Sequence, residues 1–214
     1  MIGFIGGTGP EGRGLALRLA RAGEKILLGS RDIERAAQAV NQLSTHVPPG
    51  SISASTNNEV AQRSDPIFIA VPYEGHRSTL SDMSGLLAHK TIVDVVAPVT
   101  FRKGVAHAIP VPEGSAAEEA QTILPNSIIV AAFHTISAHD LLDPNMSINS
   151  DVIVCSDNYN AKQLGIHLAG KIEGVRGIDG GELHNASYVE NLTALLLNIN
   201  KIYKTRSAIR ISGI

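Results

Sequence analysis

An α/β fold built around a mainly parallel sheet is what this sequence predicts, and three observations support the prediction. Short apolar runs typical of buried strands alternate with segments of helical periodicity along most of the chain. The first of these runs leads directly into a glycine-rich turn and then a helix. Two later runs end near prolines, Pro72 and Pro98, where strands would stop at one edge of a sheet. Such alternation favours parallel strands joined by right-handed crossovers.

The first half of the chain supplies most of the predicted elements. Apolar runs rich in Ile, Val and Phe predict the strands, and apolar residues three and four apart predict the helices, which glycine or proline ends. The predicted strands cover residues 2–5, 25–28, 52–55, 67–71 and 91–96, and the helices cover about 15–22, 33–43, 58–63 and 76–87.

Beyond the fifth strand the pattern is less regular. Residues 101–114 contain two prolines and several turn formers, so we expect a lid or a substrate-facing loop there. Ser115 and Glu118 have capping-box spacing, which predicts a helix that Pro125 ends. The remaining predicted elements are strands at 128–133 and 152–155 and helices at 161–172 and 185–203.

The last predicted helix carries an apolar stripe. Residues at helical spacing on one face form it, and we expect them to pack on the sheet or on a second subunit. They are Val189, Leu192, Leu195, Leu196, Ile199 and Ile202.

Composition limits the classes of function. The 214 residues can bury one core, or one core with a small appended domain. Eighteen basic and twenty acidic residues give a net charge of −2, so neither a nucleic acid nor a membrane surface is an expected partner. The single cysteine, Cys155, excludes an intramolecular disulfide. With no signal peptide and no membrane-spanning run expected, it fits a reducing cytoplasm.

The glycine-rich turn predicts a dinucleotide site. Residues 6–12 contain the GxGxxG spacing at Gly7, Gly9 and Gly12. Glycines at this spacing let backbone N–H groups approach a pyrophosphate at a helix N-terminus. The motif alone is common, but here it lies between a predicted strand and helix, with a second strand about twenty residues on. The sequence therefore predicts a Rossmann-type, doubly wound fold.

The end of the second strand predicts the cofactor. An NAD site places an acidic residue there to bind the ribose 2′-OH. This chain has Ser30 and Arg31 instead, with Arg35 one helical turn further on. A hydroxyl and two guanidiniums suit a 2′-phosphate, so NADP is predicted. The alternative is a solvated face in which the arginines pair with Asp32 and Glu34.

These predictions divide the chain in two. We expect residues 1–150 to form the NADP-binding Rossmann domain. Residues 151–214 would form a smaller C-terminal α/β extension, mainly helical, packed on it.

His134 follows a predicted strand at the carboxyl edge of the sheet, where ligands bind. A capped, hydrogen-bonded histidine with a structural role is one interpretation of it, and a site residue is the other. The eight histidines lack metal-ligand spacing, so no metal site is predicted. No nucleophile elbow is present either, and no catalytic acid or base is predicted.

Several stretches together resemble the F-420-dependent NADP reductase family over nearly the whole chain. They are GGTGPEGRGLALRLA, the GSR at 29–31, AVPYEGH, VAPVTFRKG, AAFHTISAHDL and LTALLLNI. The resemblance implies hydride exchange between NADP(H) and the 8-hydroxy-5-deazaflavin coenzyme F-420. Because hydride passes directly between two aligned rings, such a reaction needs no general acid or base.

The resemblance also implies the site residues. Arg35 stands where the family is expected to have a lysine, and Ser137 where it has a proline. NADP would be held by Gly7, Thr8, Gly9, Pro10, Glu11, Gly12, Ser30, Arg31 and Arg35. The meeting point of the two rings would be bordered by Val71, Pro72, Tyr73, Pro98, His134, Thr135, Ile136, Ser137 and Ala138.

Two other classes of function stay open. One is an NADPH-dependent reductase of flavins or of small imines or carbonyls, and the other is a non-catalytic NADP-sensing protein. A homodimer is expected from the apolar last helix. Two basic clusters are candidates to bind an acidic coenzyme tail, Arg102 with Lys103, and Lys201 with Lys204, Arg206 and Arg210.

Overall fold

A computed structural model describes all residues, 1–214. Ten strands and eight α-helices alternate along the chain, together with short 3₁₀ turns at Ser44–His46, Tyr73–Gly75 and Leu183–Asn185. In order they are β1 (Ile2–Ile5), α1 (Pro10–Arg21), β2 (Ile26–Ser30), α2 (Ile33–Leu43), β3 (Ile52–Thr56), α3 (Asn57–Arg63), β4 (Ile67–Ile69), α4 (His76–Leu87), β5 (Thr91–Asp94), β6 (Val99–Arg102), β7 (Val105–Ala108), α5 (Ala116–Ile123), β8 (Ile128–Ala131), α6 (Ala138–Leu142), β9 (Ser150–Val154), α7 (Tyr159–Gly170), β10 (Val175–Asp179) and α8 (Ala186–Tyr203).

Six strands form the main sheet in the order β3-β2-β1-β4-β5-β8, and every neighbouring pair is parallel. The order reverses between β1 and β4, which opens a crevice at the carboxyl ends of these two strands. The predicted Rossmann-type, doubly wound architecture is confirmed.

Successive strand residues point to opposite sides of the sheet, and both sides are buried. On one face Phe4 stacks on Phe68 with ring centroids 4.7 Å apart, and Phe133 packs on Phe68 at 5.7 Å. On the other face, Ile5 and Ile69 belong to a second apolar cluster. Helices cover both clusters, so the strands read as continuous apolar runs.

Close packing at the first turn explains two of its glycines. A Cβ on Gly12 would lie 2.7 Å from the Cα of Gly7, and a Cβ on Gly7 would lie 2.6 Å from a methyl of Leu28. Any side chain at either position would push α1 away from the sheet. These glycines therefore serve helix–strand packing.

The C-terminal part adds a small parallel pair, β9 and β10, beside the main sheet. Backbone hydrogen bonds of 2.9 and 3.0 Å join Ala131 to Cys155 and connect β8 to this pair. Val152 and Val154 are buried in the same apolar cluster as Phe4. The C-terminal residues thus share a core with the rest, and a domain boundary at 150 stays a prediction.

Residues 99–108 correct one expectation. They form an antiparallel hairpin, β6–β7, and not an irregular loop. Lys103 and Gly104 make its turn, both with positive φ, the conformation of a type I′ turn. Asn198 of α8 holds the hairpin with two hydrogen bonds to the Ala106 backbone, at 2.8 and 2.9 Å. The irregular backbone predicted for this stretch was therefore wrong, and its role as a lid or substrate-facing segment stays a prediction.

The apolar stripe of α8 is only partly covered. Val189 and Leu196 are buried, whereas Leu195 is 55% exposed and Ile202 is 71% exposed. Tyr188, seven residues before Leu195, is also exposed. None of the helices is long and apolar enough to cross a membrane.

Candidate functional site

The N-terminus of α1 lies at the point where the strand order reverses. Gly9 is its N-cap, Pro10 begins the helix, and no side chain caps it. The first-turn N–H groups of such a helix are available to an anion, and the helix dipole favours negative charge there. The glycine turn and β1 thus place a candidate anion site in the crevice.

A cavity of about 500 Å³, which we call the dinucleotide cavity, runs from this turn over the ends of β1, β2 and β4. Of the predicted residues it brings together Thr8, Gly9, Ser30, Arg31, Arg35, Val71 and Pro72. Gly9 has an ordinary φ of −72°, and an added Cβ would find no atom within 4 Å. Neither backbone strain nor packing requires a glycine at this position, so the open space beside it fits a closely approaching ligand.

The end of β2 supplies the basic part of the cavity. Ser30 is buried, and its hydroxyl accepts a hydrogen bond from the Asp32 N–H at 3.2 Å. Arg31 and Arg35 are exposed and form no ion pair. Asp32 instead caps α2, accepting from the Glu34 N–H at 2.9 Å. The interpretation that these arginines pair with neighbouring acids is therefore wrong.

A neighbouring cavity of about 390 Å³ continues past Ser30 and Arg31 to α3 and α4. Asn57 lines both cavities, and its side-chain oxygen accepts from the Gly6 N–H at 3.2 Å. Sequence reasoning missed this residue. Asn57 directly follows β3, beside the end of β2, and this position in the sequence could have indicated that it lines the site.

Another cleft, of about 320 Å³, lies on the other side of the glycine turn. We call it the ring cavity, because five of the residues predicted to border the two rings line it. Glu11 lines it, together with the five predicted residues His134–Ala138. Val95 and Ala97 contribute from the end of β5, and Thr193, Leu196 and Leu197 from α8. The α8 residues were missed because no local pattern relates them to a strand end about sixty residues earlier.

Polar side chains in the ring cavity lack hydrogen-bond partners. They are Oε1 of Glu11, both ring nitrogens of His134 and the hydroxyl of Thr135. His134 and Thr135 are 6% and 3% exposed. Because buried polar groups are normally satisfied, three such residues around one cavity fit a ligand that brings both donors and acceptors.

Burial governs the charge of two of these groups. It lowers the pKa of His134 to about 4, with a smaller opposing effect from the Asp94 carboxylate, so the imidazole is neutral. It raises the pKa of Glu11 to about 8. A neutral Glu11 leaves the positive end of α1 free of a fixed carboxylate charge.

The segment around His134 has an unusual backbone. Phe133 has φ of +70°, which is rare for a bulky residue and turns the chain sharply after β8. The Thr193 hydroxyl donates to the His134 carbonyl at 2.9 Å. Since the ring nitrogens bond to nothing in the protein, the interpretation of His134 as a hydrogen-bonded structural histidine is wrong.

The remaining predicted residues lie around the two cavities without lining them. Gly7 and Gly12 pack α1 on the sheet, and Pro10 begins that helix. Tyr73 lies in the turn before α4, with its ring 6.2 Å from that of His76. Pro98 joins β5 to the hairpin and accepts from the Ile109 N–H at 2.8 Å.

A mainly buried ionic cluster links the start of α4, the end of β5 and α5, and it was not predicted. His76, fully buried, is 2.7 Å from Asp94 through Nε2 and 2.9 Å from Glu119 through Nδ1. Arg77 contacts the second oxygen of Glu119 at 2.7 Å. Glu190 of α8 is also buried nearby and caps α5 through the Ala116 N–H at 2.7 Å.

Beside the ring cavity lies a cavity of about 640 Å³, which shares Ile136, Ser137 and Arg206 with it and adds Lys204. Of the cations in the predicted cluster, three have partners. Arg206 binds Asp140 at 2.7 Å, Arg210 binds Asp151 at 3.1 Å, and Lys201 donates to the Gly104 carbonyl at 2.8 Å.

The fold and these cavities define a Rossmann-type, NADP(H)-dependent oxidoreductase. A family model described as NADP oxidoreductase, coenzyme F-420-dependent, matches residues 1–98. The F-420-dependent NADP reductase of Methanothermobacter marburgensis is 37% identical over 220 residues, covering 100% of this chain and 98% of that protein. The corresponding protein of Methanocaldococcus jannaschii is 34% identical with the same coverage of this chain. The chain belongs to the F-420-dependent NADP reductase family.

A solved structure agrees with the fold. The crystal structure of a candidate F-420-dependent NADP reductase from Arthrobacter sp. FB24 has a TM-score of 0.84. The two chains are 23% identical, and the match covers 99% of each.

Proposed function

We propose that this protein transfers a hydride between NADP(H) and the deazaflavin coenzyme F-420. The observation that supports this most directly is that one glycine turn lines two separate cavities. Thr8 and Gly9 line the dinucleotide cavity, and Glu11 lines the ring cavity. A dinucleotide that follows the turn would bring its nicotinamide to the ring cavity, where a second flat ring can meet it.

The NADP-holding residues follow from the site. The first-turn N–H groups of α1 would bind the pyrophosphate, and Gly9 leaves room for it. Ser30, Arg31 and Arg35 would bind the 2′-phosphate, since no carboxylate of the protein competes for these arginines. Val71 and Pro72, at the end of β4, would border the nicotinamide ribose.

The residues of the ring cavity would align and shield the two rings. Once bound, NADPH and the deazaflavin supply the hydride and its acceptor carbon. The residues of this cavity would hold the reacting atoms at about 3–3.5 Å and keep water out. His134, kept neutral by burial, would donate or accept one hydrogen bond to a bound ring, which would make it a positioning group. No general acid or base is needed.

The adjoining cavity with Lys204 and Arg206 would take the anionic tail of the coenzyme. It shares three residues with the ring cavity, so a ligand could pass from one into the other. Arg102 and Lys103 lie at the turn of the hairpin, are exposed, and line neither of these cavities. The C-terminal cluster is therefore the better candidate of the two.

An absorbance assay tests the proposal against its alternatives. The purified protein is mixed with NADPH and, separately, with F-420, with FMN and with a small cyclic imine. We expect rapid reduction of F-420 and turnover at least a hundredfold slower with the others. Faster reduction of FMN or of the imine would favour the flavin or imine reductase, and no turnover with any acceptor would favour an NADP sensor.

We also propose that α8 pairs with α8 of a second copy. Tyr188, Leu195 and Ile202 are exposed and seven residues apart, so they form one apolar stripe along the helix. A two-fold axis would place this stripe against itself. Light scattering should find a dimer that Leu195→Glu dissociates, whereas Tyr159→Glu, an exposed apolar residue of α7, leaves it intact.

A cytoplasmic location also stays a prediction.

A further inference from the structure

Glu11 is the second residue of α1, and its side chain faces the ring cavity. Its Oε1 atom has no contact with solvent and no hydrogen-bond partner. The residue as a whole is half-buried, but burial of the carboxyl raises its pKa to about 8, which favours the protonated form at neutral pH. A protonated carboxyl has both a donor, the O–H, and an acceptor, the C=O. The buried Oε1 oxygen neither donates nor accepts a hydrogen bond within the protein.

No group of the cavity wall neutralises a charged Glu11. The titratable and charged side chains that line the cavity with it are His134, His139 and Arg206. Burial lowers the pKa of His134 to about 4, which keeps it neutral. His139 is exposed. Arg206 is bound to Asp140 at 2.7 Å between Nη1 and Oδ1. The side chains of the wall therefore leave an ionised Glu11 without a partner, and only the dipole of α1 favours that form.

The neighbouring elements do not neutralise it either. On α1 itself, Arg13 donates to the Gln42 side chain at 2.6 Å. At the end of β5, Asp94 is bonded to His76. From α8 the lining residues are uncharged. A bound cofactor would add phosphate charge at the same helix end, which disfavours an ionised Glu11 further.

We propose that the neutral Glu11 carboxyl pairs with a planar amide edge of the bound ring system. Its O–H would donate to the amide carbonyl, and its C=O would accept from the amide N–H. The two groups would thus form a cyclic pair joined by two hydrogen bonds. The nicotinamide carboxamide and the imide of the deazaflavin both offer such an edge. The inference rests on the proposed function for the presence of these rings, and it makes Glu11 a positioning residue.

The pairing makes ligand affinity depend on one proton. Ionised Glu11 has no donor and places a negative charge beside the phosphate site. Above pH 8 the free protein loses this proton and must regain it on binding. The dissociation constant should therefore rise by up to about tenfold per pH unit above pH 8.

Calorimetry at pH 9, in two buffers of different ionisation enthalpy, measures the proton directly. The 2′-phosphate is already dianionic at this pH and does not contribute. We expect the wild-type protein to take up close to one proton with the amide-bearing ligand. Glu11→Gln keeps a donor and an acceptor but cannot ionise. On binding it should take up less than about half as many protons as the wild type, and its dissociation constant should not change with pH.

Four ligands identify the source of the amide. NADP⁺ carries the carboxamide, and its 3-acetylpyridine analogue lacks the amide N–H. 2′-Phospho-ADP-ribose keeps both phosphate groups without the ring, and F-420 alone supplies the imide. Uptake with NADP⁺ but not with the acetylpyridine analogue assigns the nicotinamide, and uptake with F-420 assigns the deazaflavin. Equal uptake with 2′-phospho-ADP-ribose would overturn the proposal, because Glu11 would then respond to phosphate alone.

Two further variants serve as a control and as a second test of the proposal. Glu34→Gln occupies the same position of α2, the second helical residue, and should keep the wild-type proton uptake. Glu11→Leu should weaken binding of the amide-bearing ligand about tenfold without changing the affinity for 2′-phospho-ADP-ribose. Identical uptake in wild type and Glu11→Gln overturns the proposal. If F-420 is still reduced at neutral pH in that case, only this inference fails and the proposed function stands.

Discussion

Nε2 of His76 lies 2.7 Å from Oδ2 of Asp94, and both side chains are fully buried. The other oxygen of Asp94 accepts from the Val96 N–H at 3.0 Å, which fixes the chain as it leaves β5. His76 begins α4, shortly after the Val71–Pro72 segment. The pair therefore connects the strand end that lines the ring cavity to the strand end that lines the dinucleotide cavity.

This pair predicts a loss of stability at high pH. Burial by itself lowers the pKa of His76, but the Asp94 charge and the hydrogen bonds to Asp94 and Glu119 outweigh it and raise the pKa to about 9. The folded pKa thus lies above the unfolded value of about 6.5. The stabilisation is complete below pH 6.5 and is lost as the pH rises to 9. It amounts to about 3 kcal/mol at most.

Urea titrations of the wild type and of His76→Gln, between pH 6 and 9.5, measure this effect. Burial also raises the pKa of Glu11 and Glu190 to about 8, and these groups reduce stability in the same direction. The difference between the two proteins isolates His76. It should shrink as pH rises through this range, and a constant difference would mean that His76 carries no charge in the fold.

We expect cofactor choice to depend on Arg31 and Arg35, which form no ion pair. Arg31→Ala should weaken NADPH binding by about 1.5–3 kcal/mol, the scale of a lost charged hydrogen bond, while NADH binding changes little. Fluorescence titration with both cofactors measures this. Arg63→Ala, an exposed arginine without an ion pair on α3, is the matched control and should bind NADPH normally. Equal losses for NADPH and NADH in Arg31→Ala would argue against the 2′-phosphate site.

Two glycines of the same motif should respond differently to a side chain. At Gly9 an added Cβ meets no atom within 4 Å, so Gly9→Val should fold with wild-type thermal stability and fail to bind either nicotinamide cofactor. At Gly12 the Cβ would lie 2.7 Å from the Gly7 backbone, so Gly12→Val should lower the melting temperature sharply. Normal NADPH binding by Gly9→Val would place the dinucleotide elsewhere.

The cavity that contains Lys204 and Arg206 predicts how salt and substrate length affect the affinity for the coenzyme. Lys204→Ala with Arg206→Ala should raise the Michaelis constant for tailed F-420 about tenfold and leave that of the tail-less chromophore unchanged. The wild-type affinity for the tailed coenzyme should fall as salt rises. Arg102→Ala with Lys103→Ala is the control pair. A salt response that is the same with and without the tail contradicts the assignment.

Much of the fold could be predicted because the main strands are buried on both faces. Continuous apolar runs such as 2–5 and 67–69 are visible in the sequence, and their order followed from alternation with helices. The β6–β7 hairpin was missed because Lys103-Gly104 is a less common turn pair than Asn-Gly. Its stability also depends on Asn198, which lies about ninety residues away.

The dinucleotide side of the candidate site was more predictable than the ring side. Its residues follow strand ends and a local motif, so spacing alone relates Gly9 to Ser30 and Arg31. In the ring cavity, Thr193 and Leu196 come from α8, whose position depends on tertiary packing. The charge states of His134 and Glu11 also depend on burial, which spacing does not reveal.

Direct hydride transfer from NADPH to the deazaflavin is the central claim, and a deuterium label tests it. NADPH deuterated on each face of nicotinamide C4 in turn is mixed with the protein and oxidised F-420, and the reduced coenzyme is examined by NMR. We predict that deuterium from one face arrives at C5 of the deazaflavin without dilution by solvent hydrogen. Reduced coenzyme carrying only solvent hydrogen at C5, or no reduction of F-420, would contradict the claim.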